Sequence, residues 1–174
     1  PIKDIINLKV SCVGISGYSG AGASANDKNN PKIINESILP YSLSNHTHEK
    51  EIKKHCYSKT SFSPHVADFF RGILVTSHFS LSKKLNIEEI IKIYDDFYIN
   101  NKLIKIQNEP PLIKDVINTN YAIIGGFSIS DDGHELVTCC VIDNLLKGAA
   151  SQCIQNLNIT FGFEESLSLE DTFN

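Results

Sequence analysis

Leu8 to Asp27 reads LKVSCVGISGYSGAGASAND, and the fold turns on what its glycines do. A β-like run, Leu8–Ser16, flows into a loop with glycines at 14, 17, 20 and 22. A dinucleotide-binding βαβ unit begins this way, with a helix N-terminus facing the pyrophosphate. Here the stretch after Gly22 is ASANDKNNPK, which holds Asn, Asp and Pro31 and has no helical periodicity. No strand ending in an acidic residue follows about 20 positions on, as the ribose contact requires. The Rossmann reading is therefore rejected. Two readings remain for the loop. It is either a set of tight turns that need glycine at positive φ, or a flexible backbone whose N–H groups, with the hydroxyls of Ser16 and Ser19, approach a ligand closely.

Working outward, residues 1–7 read as a helix end or connector, and Gly17–Pro31 as loop. Ile38–Ser44, Ser61–Val66 and Ile73–Leu81 read as strands, the last alternating Ile73, Val75, Ser77, Phe79 and Leu81 on one face. Glu49–His55 reads as a short charged helix. Asn86 caps a stronger one, NIEEIIKIYDDFYIN, with Glu88 and Glu89 in the first turn where the helix dipole favours acids. Leu103–Gln107, Tyr121–Ile129 and Glu135–Ile142 are further strands, the last two joined by a hairpin turn around Asp132-Gly133. Asp143 caps a final helix, NLLKGAASQCIQNLNITFG. Strands in non-alternating order predict an α+β fold, with a mixed or antiparallel sheet covered on one face by helices.

With 174 residues, 41% of them hydrophobic and 21% charged, the chain has the make-up of a globular domain. A net charge of -4 without a basic patch argues against a nucleic-acid surface. The longest apolar runs fall far short of the roughly 20 residues of a membrane span. A start at Pro1 and the absence of Met lead us to expect a piece of a longer polypeptide. Five cysteines with no C-x-x-C are expected to be reduced and mostly buried. Arg71 is the only arginine beside 15 lysines. Such a residue marks a place where a planar fork of donors is needed, for a carboxylate or phosphate, or it stands there by chance.

YSLSNHTHEKEI puts His46 and His48 two apart, on one face if the segment is extended. Three readings stand open. The pair binds a metal, with Glu51, His55 or Cys56 completing the set. Or one histidine is a general acid/base, with Glu51 orienting a ring or reading a substrate. Or the rings are simply solvated. The metal reading, a hydrolase built on His46 and His48, lacks a further ligand motif.

SGYSGAG, NHTHEKEI, FSPHVADFFRGILVT and VIDNLLKGAASQCIQNLNITFGFEE occur in that order and at suitable separations. Together they resemble N-acetyl-γ-glutamyl-phosphate reductase, along essentially the whole chain. SGYSGAG, PYSLSNHTHEKEI and GGF look closest to the mitochondrial form of fungi and related eukaryotes, often made in one precursor with acetylglutamate kinase. The resemblance implies a C-terminal portion with the fold of the C-terminal domain of glyceraldehyde-3-phosphate and aspartate-semialdehyde dehydrogenases. Residues 1–142 would form the substrate-binding and dimerisation domain. Residues 143–174 would form a helix and tail that return to an NADP-binding Rossmann domain absent from this chain. It further implies a mitochondrial matrix location, with the cytoplasm as alternative, and a homo-oligomer, dimer or tetramer.

The family reduces N-acetyl-glutamyl 5-phosphate to the semialdehyde through a cysteine thioester and hydride from NADPH. Its nucleophile stands in a Pro-Gly-Cys context, and none of Cys12, Cys56, Cys139, Cys140 or Cys153 does. By resemblance, His46 or His48 is the acid/base, with His46 the first choice. Ser16, Tyr41, Glu51 and Arg71 line the substrate pocket, Arg71 facing an anionic group. Ser19, Gly20 and Asn144 meet the cofactor, and no metal is implied. Gly148, Ala149 and Ala150 keep the last helix close to the cofactor domain, or simply pack tightly. The isolated chain is expected to be inactive. A non-catalytic remnant that only dimerises or binds a partner is the rival reading.

Overall fold

The computed structural model describes residues 1–170. Strand β1 (Val10–Gly17) alternates over its first half, with Val10, Cys12 and Gly14 buried. It is followed by a short helix α1 (Pro31–Ile34), strand β2 (Ile38–Pro40), helix α2 (Thr47–His55), and strands β3 (Thr60–Ala67) and β4 (Ile73–Ser80). Then come helix α3 (Ile87–Tyr98), strand β5 (Ile104–Ile106), the hairpin β6 (Ala122–Ile129) and β7 (Glu135–Ile142), and helix α4 (Ser151–Thr160). The seven strands form one sheet in the order β2-β3-β1-β4-β7-β6-β5. β1 lies between β3, parallel, and β4, antiparallel, so the glycine stretch runs through the middle of the sheet. Only β1–β3 and β5–β6 are parallel; the remaining pairs are antiparallel. This is the mixed α+β sheet the strand order predicted.

Because side chains alternate across a strand, the register fixes which residues share a face. Cys12 pairs with Phe62 and Ser77, and Ser77 with Thr138, so these four lie on one face. Helices α2 and α3 cover that face. Ile52 of α2 packs with Val10, Cys12 and Phe62. Ile90 and Tyr94 of α3 pack with Leu81, Leu85 and Leu136. An apolar groove of about 620 Å³ runs between them, floored by Val10, Cys12 and Cys140. The other face carries Val13, Ile15, Leu74, Thr76, Val137 and Cys139, all partly exposed. There Ile113 and Val116 cover one corner, against Ile123 and Val141.

Helix α3 starts where Asn86 predicts. Asn86 Oδ1 accepts the Glu89 N–H at 2.9 Å, and Glu89 Oε2 accepts the Asn86 N–H at 2.8 Å, a reciprocal cap. Asp143 caps the last helical run, accepting the N–H groups of Leu145 (2.9 Å) and Leu146 (3.2 Å) on Oδ1. That run opens with a π-type turn, Leu146–Ala150.

Three expectations change. β2 ends at Pro40 rather than Ser44, because Ser42 (φ 43°) and Asn45 (φ 60°) turn the chain into α2. His46 and His48 therefore sit at a helix start, not on a strand face. The segment from Gly17 to Pro31 is not plain loop but holds 3-10 turns at Tyr18–Ala21 and Asp27–Asn29, with Pro31 opening α1. The cysteines are all free but not mostly buried: Cys56 and Cys153 are exposed and only Cys12 is buried. The tail of the second unit expected from sequence, beyond residue 170, lies outside the described residues.

Candidate active site

Gly17 of the opening stretch is fixed by close backbone approach. Gly17, Tyr18 and Ser19 donate their N–H groups to the carbonyls of Gly72, Phe69 and Phe70, each at 2.9 Å. A Cβ at Gly17 would stand 2.6 Å from the Phe70 carbonyl oxygen, so only glycine lets the two loops zip together. A Cβ at Gly20 would stand 2.9 Å from Ser16 Oγ and 3.6 Å from Asn144 Nδ2. Its absence leaves a slot between those two side chains.

Asn144, buried at the entry to the last helical run, clamps this arrangement. Its Oδ1 accepts the Gly72 N–H at 2.6 Å, and its Nδ2 donates to Ser19 Oγ at 2.9 Å. Neighbouring Asp143 is fully buried. Besides the two helix N–H groups, its carboxylate accepts the Asn118 N–H at 2.9 Å and faces Arg71. Arg71 Nε lies 3.2 Å from Asp143 Oδ2, close enough for an ion pair though not aligned as a hydrogen bond. Arg71 Nη1 donates to Asn118 Oδ1 at 2.5 Å. The lone arginine thus has its planar fork, but its carboxylate is internal.

His46 is the N-cap of α2: its Nδ1 accepts the His48 N–H at 3.2 Å. Its ring meets Tyr41 edge-on at 5.5 Å and His48 at 4.8 Å. Desolvation, then His48 and Lys28, push the His46 pKa below its ordinary value, which keeps Nδ1 free to accept the cap bond. Glu49 ties the same helix to the sheet. Its Oε2 accepts the Phe62 N–H at 3.1 Å, and its other oxygen pairs with Lys53 at 2.5 Å.

These elements enclose a cavity of about 110 Å³ at the β1 end of the sheet. Ser16, Gly20, Lys28, Tyr41, His48 and His65 line it. Four of the site residues expected from sequence therefore converge, namely Ser16, Gly20, Tyr41 and His48. Ser19 and Asn144 stand just behind, bonded to each other. His46 caps the helix beside the cavity, and His48, whose ring lies 4.8 Å from it, lines the cavity. Glu51 is exposed and, like Arg71, is not among the lining residues. A pocket for a small molecule usually spans about 300–1,000 Å³, several times this volume.

Sequence reasoning missed Lys28, Glu49 and the internal use of Asp143. For Glu49 the signal was present, since α2 opens at Thr47 and an acid in that first turn can reach the neighbouring strand. Burial raises the Cys12 pKa and pushes that of Cys140 up to about 11, the opposite of an activated nucleophile. Among the described residues no three His, Cys, Asp or Glu side chains group to hold a metal ion. The metal reading of His46 and His48 thus has no further ligands in place. No described helix is long and apolar enough to cross a membrane.

A mixed seven-stranded sheet, helices on one face, and a glycine loop meeting a histidine at the end of its β1 strand are features of the sheet domain of semialdehyde dehydrogenases. Residues 2–144 match the family described as the semialdehyde dehydrogenase dimerisation domain, and the chain belongs to that family. It is 42% identical over 166 residues to the Candida albicans "Protein ARG5,6, mitochondrial", covering 95% of this chain and 19% of that one. It is 38% identical over 169 residues to the N-acetyl-gamma-glutamyl-phosphate reductase of Stenotrophomonas maltophilia, covering 97% of this chain and 53% of that one. The chain thus spans about half the length of the bacterial relative and about a fifth of the fungal one. Its fold is similar to that of aspartate semialdehyde dehydrogenase II from Vibrio cholerae, with a TM-score of 0.71 at 14% identity. That likeness covers 94% of this chain and 58% of the other.

Proposed function

We propose that this chain is the substrate-binding and dimerisation part of an NADP-dependent reductase acting on N-acetyl-glutamyl 5-phosphate in arginine biosynthesis. The observation that carries the reading is His48 in a half-formed cavity with Ser16, Gly20 and Tyr41. An imidazole in a concave site is what proton transfer to a reacting carbonyl needs. The small volume supports a site completed by a second domain.

In this reading the nucleophilic cysteine comes from the nucleotide-binding half. Its thiolate attacks the acyl carbonyl and phosphate leaves, giving a thioester. NADPH, when bound, supplies the hydride that reduces the thioester carbonyl. The His48 imidazolium gives its proton to the carbonyl oxygen as hydride arrives. The imidazole takes that proton back as the carbonyl re-forms and thiolate departs, leaving the aldehyde. Tyr41 and Ser16 position the acyl chain. Gly20, with Ser19 and Asn144 beside it, would meet the cofactor's reactive end. Nothing in the chain suits the pyrophosphate, since no helix follows the glycines directly.

Further surfaces fit the same reading. Leu157, Ile159, Phe161 and Phe163 on α4 and just beyond it are more than half exposed, and would face the nucleotide-binding half. The uncovered sheet face around Val13, Ile15, Leu74 and Val137 would pair with a second copy. The names of the fungal relatives support a mitochondrial matrix location, and their greater length leaves room for acetylglutamate kinase on the same precursor.

The test is His48→Gln in the reductase joined to its nucleotide-binding half. Loss of general acid/base catalysis should lower kcat about 10²- to 10⁴-fold, with a much smaller change in KM. An unchanged kcat would remove His48 from the reaction.

A further inference from the structure

Lys28 lines the cavity with His48, Tyr41 and Ser16, and is the only Lys or Arg that does. Among the described residues it pairs with no carboxylate within 4.0 Å; its ammonium lies over the Tyr41 ring, 4.7 Å from the centroid. We propose that Lys28 is the receptor for the phosphate group of the substrate, whereas the resemblance sets Arg71 facing an anionic group. The proposal rests on the reductase reading above.

Two asparagines build the loop that presents Lys28. Asn26 Oδ1 accepts the Lys28 N–H at 3.0 Å, and Asn29 Oδ1 accepts the Asn26 N–H at 2.9 Å. Asn26 Nδ2 donates back to the carbonyls of Ala21 (3.1 Å) and Ser24 (2.8 Å). Asn29 Nδ2 donates to those of Gly22 (3.0 Å) and Ser24 (2.9 Å). The 3-10 turn Asp27–Asn29 is thereby laced to the glycine loop, and the lysine is held over the cavity mouth. Arg71, by contrast, is committed to Asp143 and Asn118.

Position in the substrate decides which anion Lys28 meets. The phosphate is bonded to the carbonyl that reacts, while the α-carboxylate lies three carbons away. A cation sharing one small cavity with the acid/base reaches the phosphate first. A lysine is a point charge with rotatable donors, suited to a phosphate that must leave. Its charge stabilises the departing group as negative charge gathers there.

The experiment runs the joined reductase in reverse, from semialdehyde, inorganic phosphate and NADP. Lys28→Met should raise KM for inorganic phosphate about 10- to 100-fold, the cost of one charged contact, and leave KM for semialdehyde nearly unchanged. Lys28→Arg should recover most of the loss. A rise in the semialdehyde KM alone would place Lys28 on the carboxylate and overturn the proposal, as would no change in either. Absence of turnover in the unsubstituted enzyme would strike the reductase reading instead. Phosphate binding is then read directly by ³¹P titration of inorganic phosphate against the unsubstituted protein and Lys28→Met. Weaker binding by the variant supports the proposal, and equal affinity overturns it.

Discussion

At the scale of single residues, the walls of the cavity are held in place by side chains bonded to other parts of the chain. Arg71 and Asp143 hold the β3–β4 loop against the entry to the last helical run, with Asn118 between them. Asp143 is fully buried, so removing its cation leaves a carboxylate with backbone donors but no counter-charge. Arg71→Leu should destabilise the fold by about 3–5 kcal/mol, the cost of orphaning one member of a buried pair. Urea unfolding checks it, and a loss under about 1 kcal/mol would mean that the N–H groups alone satisfy Asp143. Arg71 also shows where residue-level reading stops. Its rarity correctly marked a place that needs a guanidinium, but rarity does not say whether the anion is a substrate or another part of the chain. Lys28 had the reverse problem. It is one of 15 lysines, and only the folding of Asn26 and Asn29 around it sets it apart.

At the scale of elements, α2 is positioned by two groups with depressed pKa values. Burial, with His48 and Lys28, holds His46 below its ordinary value of 6.5. The hydrogen bond from Lys53, then that from Phe62, holds Glu49 below its ordinary 4.5. In both cases the unfolded chain binds the proton more tightly than the folded one. Their contribution is therefore present above the unfolded value and lost as pH falls through the folded one. Protection of the α2 amides, relative to their intrinsic exchange rates at each pH, should fall as pH drops below the ordinary His46 value and again below the ordinary Glu49 value, while α3 stays protected. Equal protection of α2 at pH 7 and pH 5 would contradict the histidine cap. The strands and α3 were legible because period-2 and period-3.6 patterns and the Asn86–Glu89 cap are local. The start of α2 was not. His46 is an unusual N-cap, and the positive φ values at Ser42 and Asn45 have no glycine to announce them. The glycine loop was half legible. Its rejection as a pyrophosphate turn needed only the missing helix. Its real constraint, the Phe70 backbone beside Gly17, lies more than 50 residues along the chain.

At the scale of the whole molecule, one sheet divides two tasks. Its helix-covered face holds the core, and the C-terminal end of β1 holds the cavity. The other face is left partly apolar and uncovered, and the family's description as a dimerisation domain supports giving it to a second copy. Val13→Glu, in the middle of that face, should shift the protein from dimer to monomer in light scattering without altering its circular dichroism. A variant that stays dimeric would move the interface elsewhere. In the proposed reading, the sheet would supply one wall of the site and the nucleotide-binding half the rest. The most direct measurement is NADPH oxidation with N-acetyl-glutamyl 5-phosphate, by this chain alone and by the chain joined to its nucleotide-binding half. The account predicts no turnover alone, turnover when joined, and its loss in His48→Gln. Turnover by the 174-residue chain alone, or full activity of the joined His48→Gln protein, would contradict it.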